Sequence, residues 1–237
     1  VQSKKSNKES GGTFDITIGA LSRLWRKGRR GKNFPTASQI DSAKRATGMD
    51  KILIDTIAKK VKLLQAGMQL DVGGIGKGYI AQAVIDFLKR EGITQALADA
   101  GGDIVCSGAP PGKKGWTIAI NLPGEKKGYL QKNLLLQNGA VATSGDVYQY
   151  ITHEGKRYAH IIDPRTGYGV TFQRNVTVVA KDGATADWLA TACSILPKRK
   201  AKRLVRKKDA ALLVMQVKKE KLKSYATQSF AQFWQKE

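Results

Sequence analysis

The stretch 71-DVGGIGKGYIAQAV-84, Asp71 to Val84, sets four glycines and a lysine between an apolar run and a helical pattern. A strand, a glycine turn and a helix N-terminus leave backbone N–H groups and the positive end of a helix dipole facing whatever lies above the turn. Such a stretch can hold an anion. A P-loop needs Gly at position 71 and Ser or Thr at position 78, whereas the chain has Asp71 and Gly78, so that motif fails. Gly76, Gly78 and Ala81 satisfy the GxGxxA form of the dinucleotide fingerprint, with Asp99 at the spacing of a ribose contact. The competing explanation is packing, glycines that let a helix lie close to a strand. In the helix itself Ile80, Val84, Phe87 and Leu88 recur at i, i+4, i+7 and i+8 as one apolar stripe, and Gly92 after a basic last turn marks its stop.

On the N-terminal side, residues 1–12 are polar and lysine-rich and read as a ragged end, with order starting at Thr13. "RKGRRGKNFP" (26–35) reads as a basic loop, "ASQIDSAKRAT" as a helix, "KILID" and "KVKLLQ" as a hairpin, and "MQLDV" as the strand entering the glycine motif. On the C-terminal side come a short strand near Leu97, a glycine turn "AGGD", the strand "IVCSG", and the alternating runs "WTIAINLP", "NLLLQ" and "AVATSG", with Asn138–Gly139 as a hairpin turn. A second hairpin turns at Glu154–Gly155, "NVTVVA" is a strand, and a helix runs from Ala184 to Ile195 before Pro197. Strands outnumber helices and hairpins dominate, which predicts an α+β fold with antiparallel sheets and packed helices.

Composition narrows the function classes. The 237 residues suffice for a substantial core, and 41 Lys plus Arg against 19 Asp plus Glu give a formal charge of +22, which favours anionic partners without choosing among them. Cys106 and Cys193 sit in apolar runs without CxxC or His-rich spacing, so a metal–thiolate site is not indicated. No apolar span is long enough to cross a bilayer as a helix, and "VQSKKSNKES" lacks the apolar core of a signal peptide.

Three further segments complete the pattern. "LADAGGDIVCSG" repeats the strand-to-glycine-turn device at Gly101 and Gly102 and adds Asp103; "AVATSGD" offers Thr143, Ser144 and Asp146; "YAHIIDPRTG" carries His160, Asp163, Arg165 and Thr166. Together with "DVGGIGKG" and "TADWLATA", and in this order, they resemble the FAD:protein FMN transferase family, the ApbE-like flavin transferases, from "GTFDITIGALSRLW" to about Pro197. The resemblance implies a T-fold-like mixed α/β architecture over residues 13–237 as one domain, shortened at its N-terminus. It implies magnesium-dependent transfer of the FMN moiety of FAD to a threonine hydroxyl of an acceptor protein, a redox-complex subunit, with release of AMP. It also implies a periplasmic or extracytoplasmic setting with a lipoprotein membrane tether outside the given chain.

By the same resemblance Gly73, Gly74 and Lys77 sit against the cofactor phosphates, and Gly101, Gly102 and Asp103 bound the FAD site. Thr143, Ser144, Asp146 and Arg165 line the pocket, and His160 is the catalytic residue on the phosphate side. Asp187 and Thr191, with the carbonyl of Gly76, hold the metal. The residues support the last point independently: Asp187 and Thr191 are i and i+4, so both oxygens share one helix face, as a hard cation requires.

His153 lies at a hairpin tip and receives no role. Two other functions use the same features: a metal-dependent FAD pyrophosphatase, with water replacing the threonine, and a non-catalytic FAD-binding or basic nucleic-acid-binding protein. For the latter, "PKRKAKRLVRKK" (197–208) has the charge but no interleaved stacking aromatics, so no nucleic-acid partner is expected.

Overall fold

Lysine-rich though it is, the start of the chain folds: α1 (Gln2–Ser10) ends at Gly11, which takes the left-handed φ of 62°. The Asn7 amide donates to the Phe14 carbonyl at 2.8 Å, and the Ser10 hydroxyl accepts from the Phe14 N–H at 3.1 Å. These bonds, with Ser6 and Ser10 buried, correct the expectation of a ragged end. The computed structural model describes residues 1–122, 130, 132–145, 149–218 and 221–235. They fall into two compact units, one of Val1–Val72 with Tyr148–Phe172, the other of Gly73–Val147 with Gln173–Glu237.

In the first unit α2 (Gly19–Gly31) runs straight through most of the expected basic loop. Lys and Arg are good helix formers, and Leu21, Trp25 and Gly28 give the helix a buried face. Then α3 (Ala37–Arg45) starts on a capping box, in which Thr36 and Gln39 exchange side-chain and backbone hydrogen bonds. The strands β1 (Ile52–Asp55) and β2 (Lys60–Leu63) pair antiparallel as expected. "MQLDV" does not form a strand. It contributes one parallel bridge, Gln69 to Ile18, because the chain passes so close to the start of α2 that a Cβ on Gly19 would lie 2.5 Å from the Gln69 carbonyl. Two later strands, β8 (Tyr150–His153) and β9 (Lys156–Ala159), form the second expected hairpin, with positive φ at Glu154 and Gly155 as a two-residue turn demands. Leu21, Trp25, Ile40, Ile151 and Ile162 make this unit's core.

The second unit is a six-stranded sheet in the order β12-β11-β10-β7-β4-β3 with every pair antiparallel. Its strands are β3 (Ala96–Asp99), β4 (Ile104–Ser107), β7 (Gly139–Gly145), β10 (Gln173–Ala180), β11 (Ala211–Lys218) and β12 (Lys221–Ala226). A separate pair, β5 (Trp116–Ile118) with β6 (Leu134–Leu136), joins Phe230 in covering one face, where Val141, Val179, Leu213 and Met215 form the core. Asn138–Gly139 therefore links two sheets and closes no hairpin. On the other face lie α4 (Gly76–Arg90) and α5 (Gly183–Ile195), the latter capped by the Asp182 carboxylate, which accepts from the Thr185 N–H at 2.8 Å. A further helix, α6 (Lys198–Arg206), follows.

The packed face of α4 is Gly78, Ala81 and Ile85, whereas Ile80, Val84 and Phe87 of the apolar stripe are exposed. Small residues win the inner face because α4 lies directly on α5: a Cβ on Gly78 would overlap the Gly183 carbonyl, and one on Gly183 would overlap the Gly78 carbonyl. Gly78→Ala should therefore cost about 3 kcal/mol in urea unfolding, since the obstacle is backbone and cannot rotate away. By contrast Gly31→Ala, whose Cβ meets only the Asn33 amide at 3.5 Å, should gain up to about 1 kcal/mol of helix propensity.

Candidate active site

The contact between α4 and α5 puts a carboxylate under the glycine turn. Asp187, one turn into α5, accepts from the Gly78 N–H at 3.1 Å and is only 5% exposed. Thr191, one turn further on, faces Gly74, where an added Cβ would lie 2.8 Å from its Oγ1. The second glycine turn meets the first through an ion pair: Lys77 Nζ lies 2.8 Å from Asp103 Oδ2, with the Asp103 side chain buried and Lys77 half-exposed. Gly101 and Gly102, at φ 66° and 92°, form that turn, and a Cβ on Gly101 would touch the Lys77 stem at 3.9 Å. Thus Gly74, Gly76, Lys77, Gly101, Gly102, Asp103, Asp187 and Thr191 converge in one unit. Gly73 opens the turn that leads into α4.

Asp99 has a different task from the one its spacing suggests. Its carboxylate accepts from the Gly102 N–H at 2.7 Å and so pins the second turn. The antiparallel sheet also lacks the βαβ crossover that a dinucleotide fingerprint requires.

The electrostatics at the centre are unfavourable by design. Burial pushes the Asp187 carboxyl up to about 7, and the neighbouring Asp103 charge, together with a hydrogen bond between the two acids, pushes in the same direction. The Gly78 N–H and Lys77 oppose this without cancelling it. A hard cation would relieve the repulsion. The donors suit one: a carboxylate and a hydroxyl on adjacent turns of α5, with the glycine-turn backbone alongside. Among the described residues no three His, Cys, Asp or Glu side chains cluster as a metal site. A divalent ion here would draw the remaining oxygens from substrate and water, the usual situation of magnesium at phosphate sites.

Thr143 and Ser144 are consecutive on β7, paired with Thr177 and Val176, so they project to opposite faces of the sheet. Thr143 Oγ1 lies 2.9 Å from Thr177 Oγ1 on the face away from α5. Asn175, absent from the sequence-based set, belongs to that polar row: it is 3% exposed, and a Cβ on Gly145 would overlap its amide oxygen. The alternation of Asn175 and Thr177 with Val176 and Val178 was the available signal. Asp146 lies outside the described residues.

In the other unit, His160 is half-buried and its backbone N–H donates to the Gln149 carbonyl at 2.8 Å. Arg165 is engaged in a two-pronged bond to Asp163, with Nε at 2.9 Å from Oδ1 and Nη2 at 2.7 Å from Oδ2, which raises the guanidinium's already high pKa. An anion reaching Arg165 has to compete with that fork. The turn is fixed from below by the buried Trp25 indole, which donates to the Gly167 carbonyl at 2.9 Å. His153 stacks on Phe34 with ring centroids 4.0 Å apart.

Comparison with known proteins gives a consistent result. The model of the ApbE family matches residues 1–215. A FAD:protein FMN transferase of Klebsiella pneumoniae is 35% identical over 175 residues, 73% of this chain and 54% of the relative. One from Salmonella typhimurium is 30% identical over 227 residues, 94% of this chain and 65% of the relative. The chain thus spans roughly half to two thirds of these relatives' lengths. Among solved structures, the flavin transferase ApbE from Vibrio cholerae superposes with a TM-score of 0.86 at 28% identity, covering 98% of this chain and 74% of the other. The apo form of the Pseudomonas stutzeri flavinyl transferase ApbE gives 0.83 at 30%, covering 98% and 72%.

The acid pair makes a thermodynamic prediction. With metal chelated at pH 8, Asp187→Asn should stabilise the protein by about 2 kcal/mol, because it removes a buried charge that Asp103 repels. The folded Asp187 carboxyl binds its proton near 7 and the unfolded one near 4, so the penalty is complete above pH 7 and fades as pH falls between those values. Thermal melts from pH 8 to 5 should show the variant's advantage shrinking. An advantage that stays constant across this range would mean that Asp187 does not carry the repulsion.

Proposed function

The chain belongs to the ApbE family, and on that premise we propose that it transfers the FMN moiety of FAD to a threonine hydroxyl of an acceptor protein, with magnesium, releasing AMP. The observation that carries this reading is Asp187, a buried carboxylate held beside a second one at the mouth of two glycine turns. Packing gives no reason for such a pair. A cation held there would give one, since it would supply charge neutralisation to a diphosphate.

The threonine oxygen forms a bond to the FMN phosphorus, the bond from that phosphorus to the bridging oxygen breaks, and AMP departs with the electron pair. The threonine proton must leave as this happens. Bound magnesium would supply charge neutralisation at the diphosphate oxygens, held by Asp187, Thr191 and the Gly76 carbonyl. Lys77 offers a point charge, and the N–H groups at the start of α4 offer oriented dipoles toward an anion. Since Lys77 is paired with Asp103, a diphosphate would share the ammonium and not capture it outright. His160 is assigned to the proton or to a phosphate oxygen. An imidazole can donate a hydrogen bond in either protonation state and take up a proton when neutral.

Incubation of the protein with FAD, magnesium and a threonine-containing acceptor domain, followed by mass spectrometry, should show the acceptor heavier by one FMN. Free FMN and AMP with an unmodified acceptor would make the protein a pyrophosphatase instead. His160→Ala should slow single-turnover transfer by about a hundredfold or more while FAD affinity changes little. His160→Gln retains a hydrogen-bond donor but cannot take up a proton, so near-normal transfer by that variant would exclude an essential base.

A further inference from the structure

The second unit carries a basic cleft that the glycine turns do not line. Arg199, Lys202, Arg203 and Arg206 fall at i, i+3, i+4 and i+7 of α6 and so share one helix face. The opposite side of the helix is anchored by buried Ala201, Leu204 and Val205. The cationic face forms one wall of a cleft of about 770 Å³, and Thr227, Gln228, Ser229 and Gln232 form the facing wall. That wall is fixed: the Thr227 hydroxyl accepts from the Leu212 N–H at 3.0 Å and lies 3.1 Å from the Ser229 hydroxyl. The acid among the lining residues, Asp209, is 3.4 Å from Lys181 Nζ.

We propose that this cleft binds two or three phosphates carried close together on one ligand and reads the phosphates alone. The eight helical residues from Arg199 to Arg206 carry the four cations over roughly 10 Å, longer than one phosphate and matched to a short polyphosphate. Three of the four are arginines, whose planar forks meet phosphate oxygens two at a time. Hydroxyl and amide groups face them across the gap, ready to bond the remaining oxygens. Among the described residues that line the cleft none is aromatic, so none of them stacks on a base, and the nearby Tyr225 ring centroid lies 5.6 Å from Lys202 Nζ. Concavity separates the site from an ordinary solvated lysine face, since cations placed only for solubility need no facing wall of donors. The ligand is either a soluble polyphosphate or a lipid headgroup bearing several phosphomonoesters. The proposal is independent of the flavin chemistry, because none of its residues belongs to that site.

The test is calorimetric titration with inorganic tripolyphosphate, in chelator and at constant ionic strength. It uses the whole chain carrying Lys77→Gln to weaken any binding at the glycine turns. Arg199→Gln with Arg203→Gln should weaken binding by about tenfold or more. Lys200→Gln with Lys207→Gln removes as much charge from exposed positions outside the cleft and should change affinity by less than about twofold. Equal weakening by both pairs would reduce the effect to net charge and overturn the proposal. So would tighter binding of oligouridylate, polyglutamate or phosphatidylglycerol vesicles than of tripolyphosphate. Vesicles containing phosphatidylinositol bisphosphate separate the two sources: capture that requires Arg199 and Arg203 assigns the phosphates to a lipid, and failure to bind them alongside tight tripolyphosphate binding assigns them to a soluble ligand.

Discussion

The close approach of two backbones, Gly78 on α4 and Gly183 on α5, is the constraint on which the candidate site depends. Neither position has room for a side chain, and because neither carries one the helices meet closely enough for a carboxylate on α5 to accept from an N–H of α4. Thr191 then arrives opposite Gly74 by helical periodicity alone. The sheet beneath supplies what this arrangement needs. Its face toward the helices carries small and β-branched residues, Ala140, Ala142, Val176 and Val178, so α5 can lie low and bury nearly its whole circumference. The candidate site therefore sits where packing is least tolerant, and a change that loosened the helix pair would move its donors apart.

The charge distribution has two scales. Over the whole chain the excess is positive by 22, which raises the local concentration of anions and hastens their arrival. At the glycine turns the sign inverts, with two buried acids facing one lysine. A polyphosphate alone would meet repulsion there, whereas a polyphosphate bringing its own divalent cation would not. Such an arrangement would favour the complexed anion over the bare one, a selectivity that would arise from the repulsion between the two acids and not from any added contact.

Much of this was legible in the sequence, and the failures have physical causes. The i, i+4 spacing of Asp187 and Thr191 was enough to place them on one face of α5, because helical geometry is local. The turn at Glu154–Gly155 was announced by its glycine, which takes a positive φ at no steric cost. The α4 stripe misled because periodicity identifies a face without saying whether bulk or smallness suits the neighbour, and here the neighbour was another backbone. Thr143 and Ser144 came from the resemblance as one pocket segment, and the strand sends their side chains to opposite faces of the sheet. Asp99 was read by its distance from the glycines, whereas its partner was an N–H three residues away. The Asp103–Asp187 contact was beyond reach, since nothing in either segment announces the other.

The bond from the Trp25 indole to the Gly167 carbonyl spans 142 residues of chain, and it matters before the protein is finished. The first unit is built from two stretches separated by much of the second. Leu21, Trp25 and Ile40 cannot complete their core until Ile151 and Ile162 have been synthesised. At a ribosomal pace of about 5–20 residues per second, Trp25 waits roughly 7–28 seconds for its partner. Throughout that interval a nascent apolar helix face is open to chaperones and to neighbouring chains, so the risk of aggregation is set by the order of synthesis as much as by the stability of the finished fold.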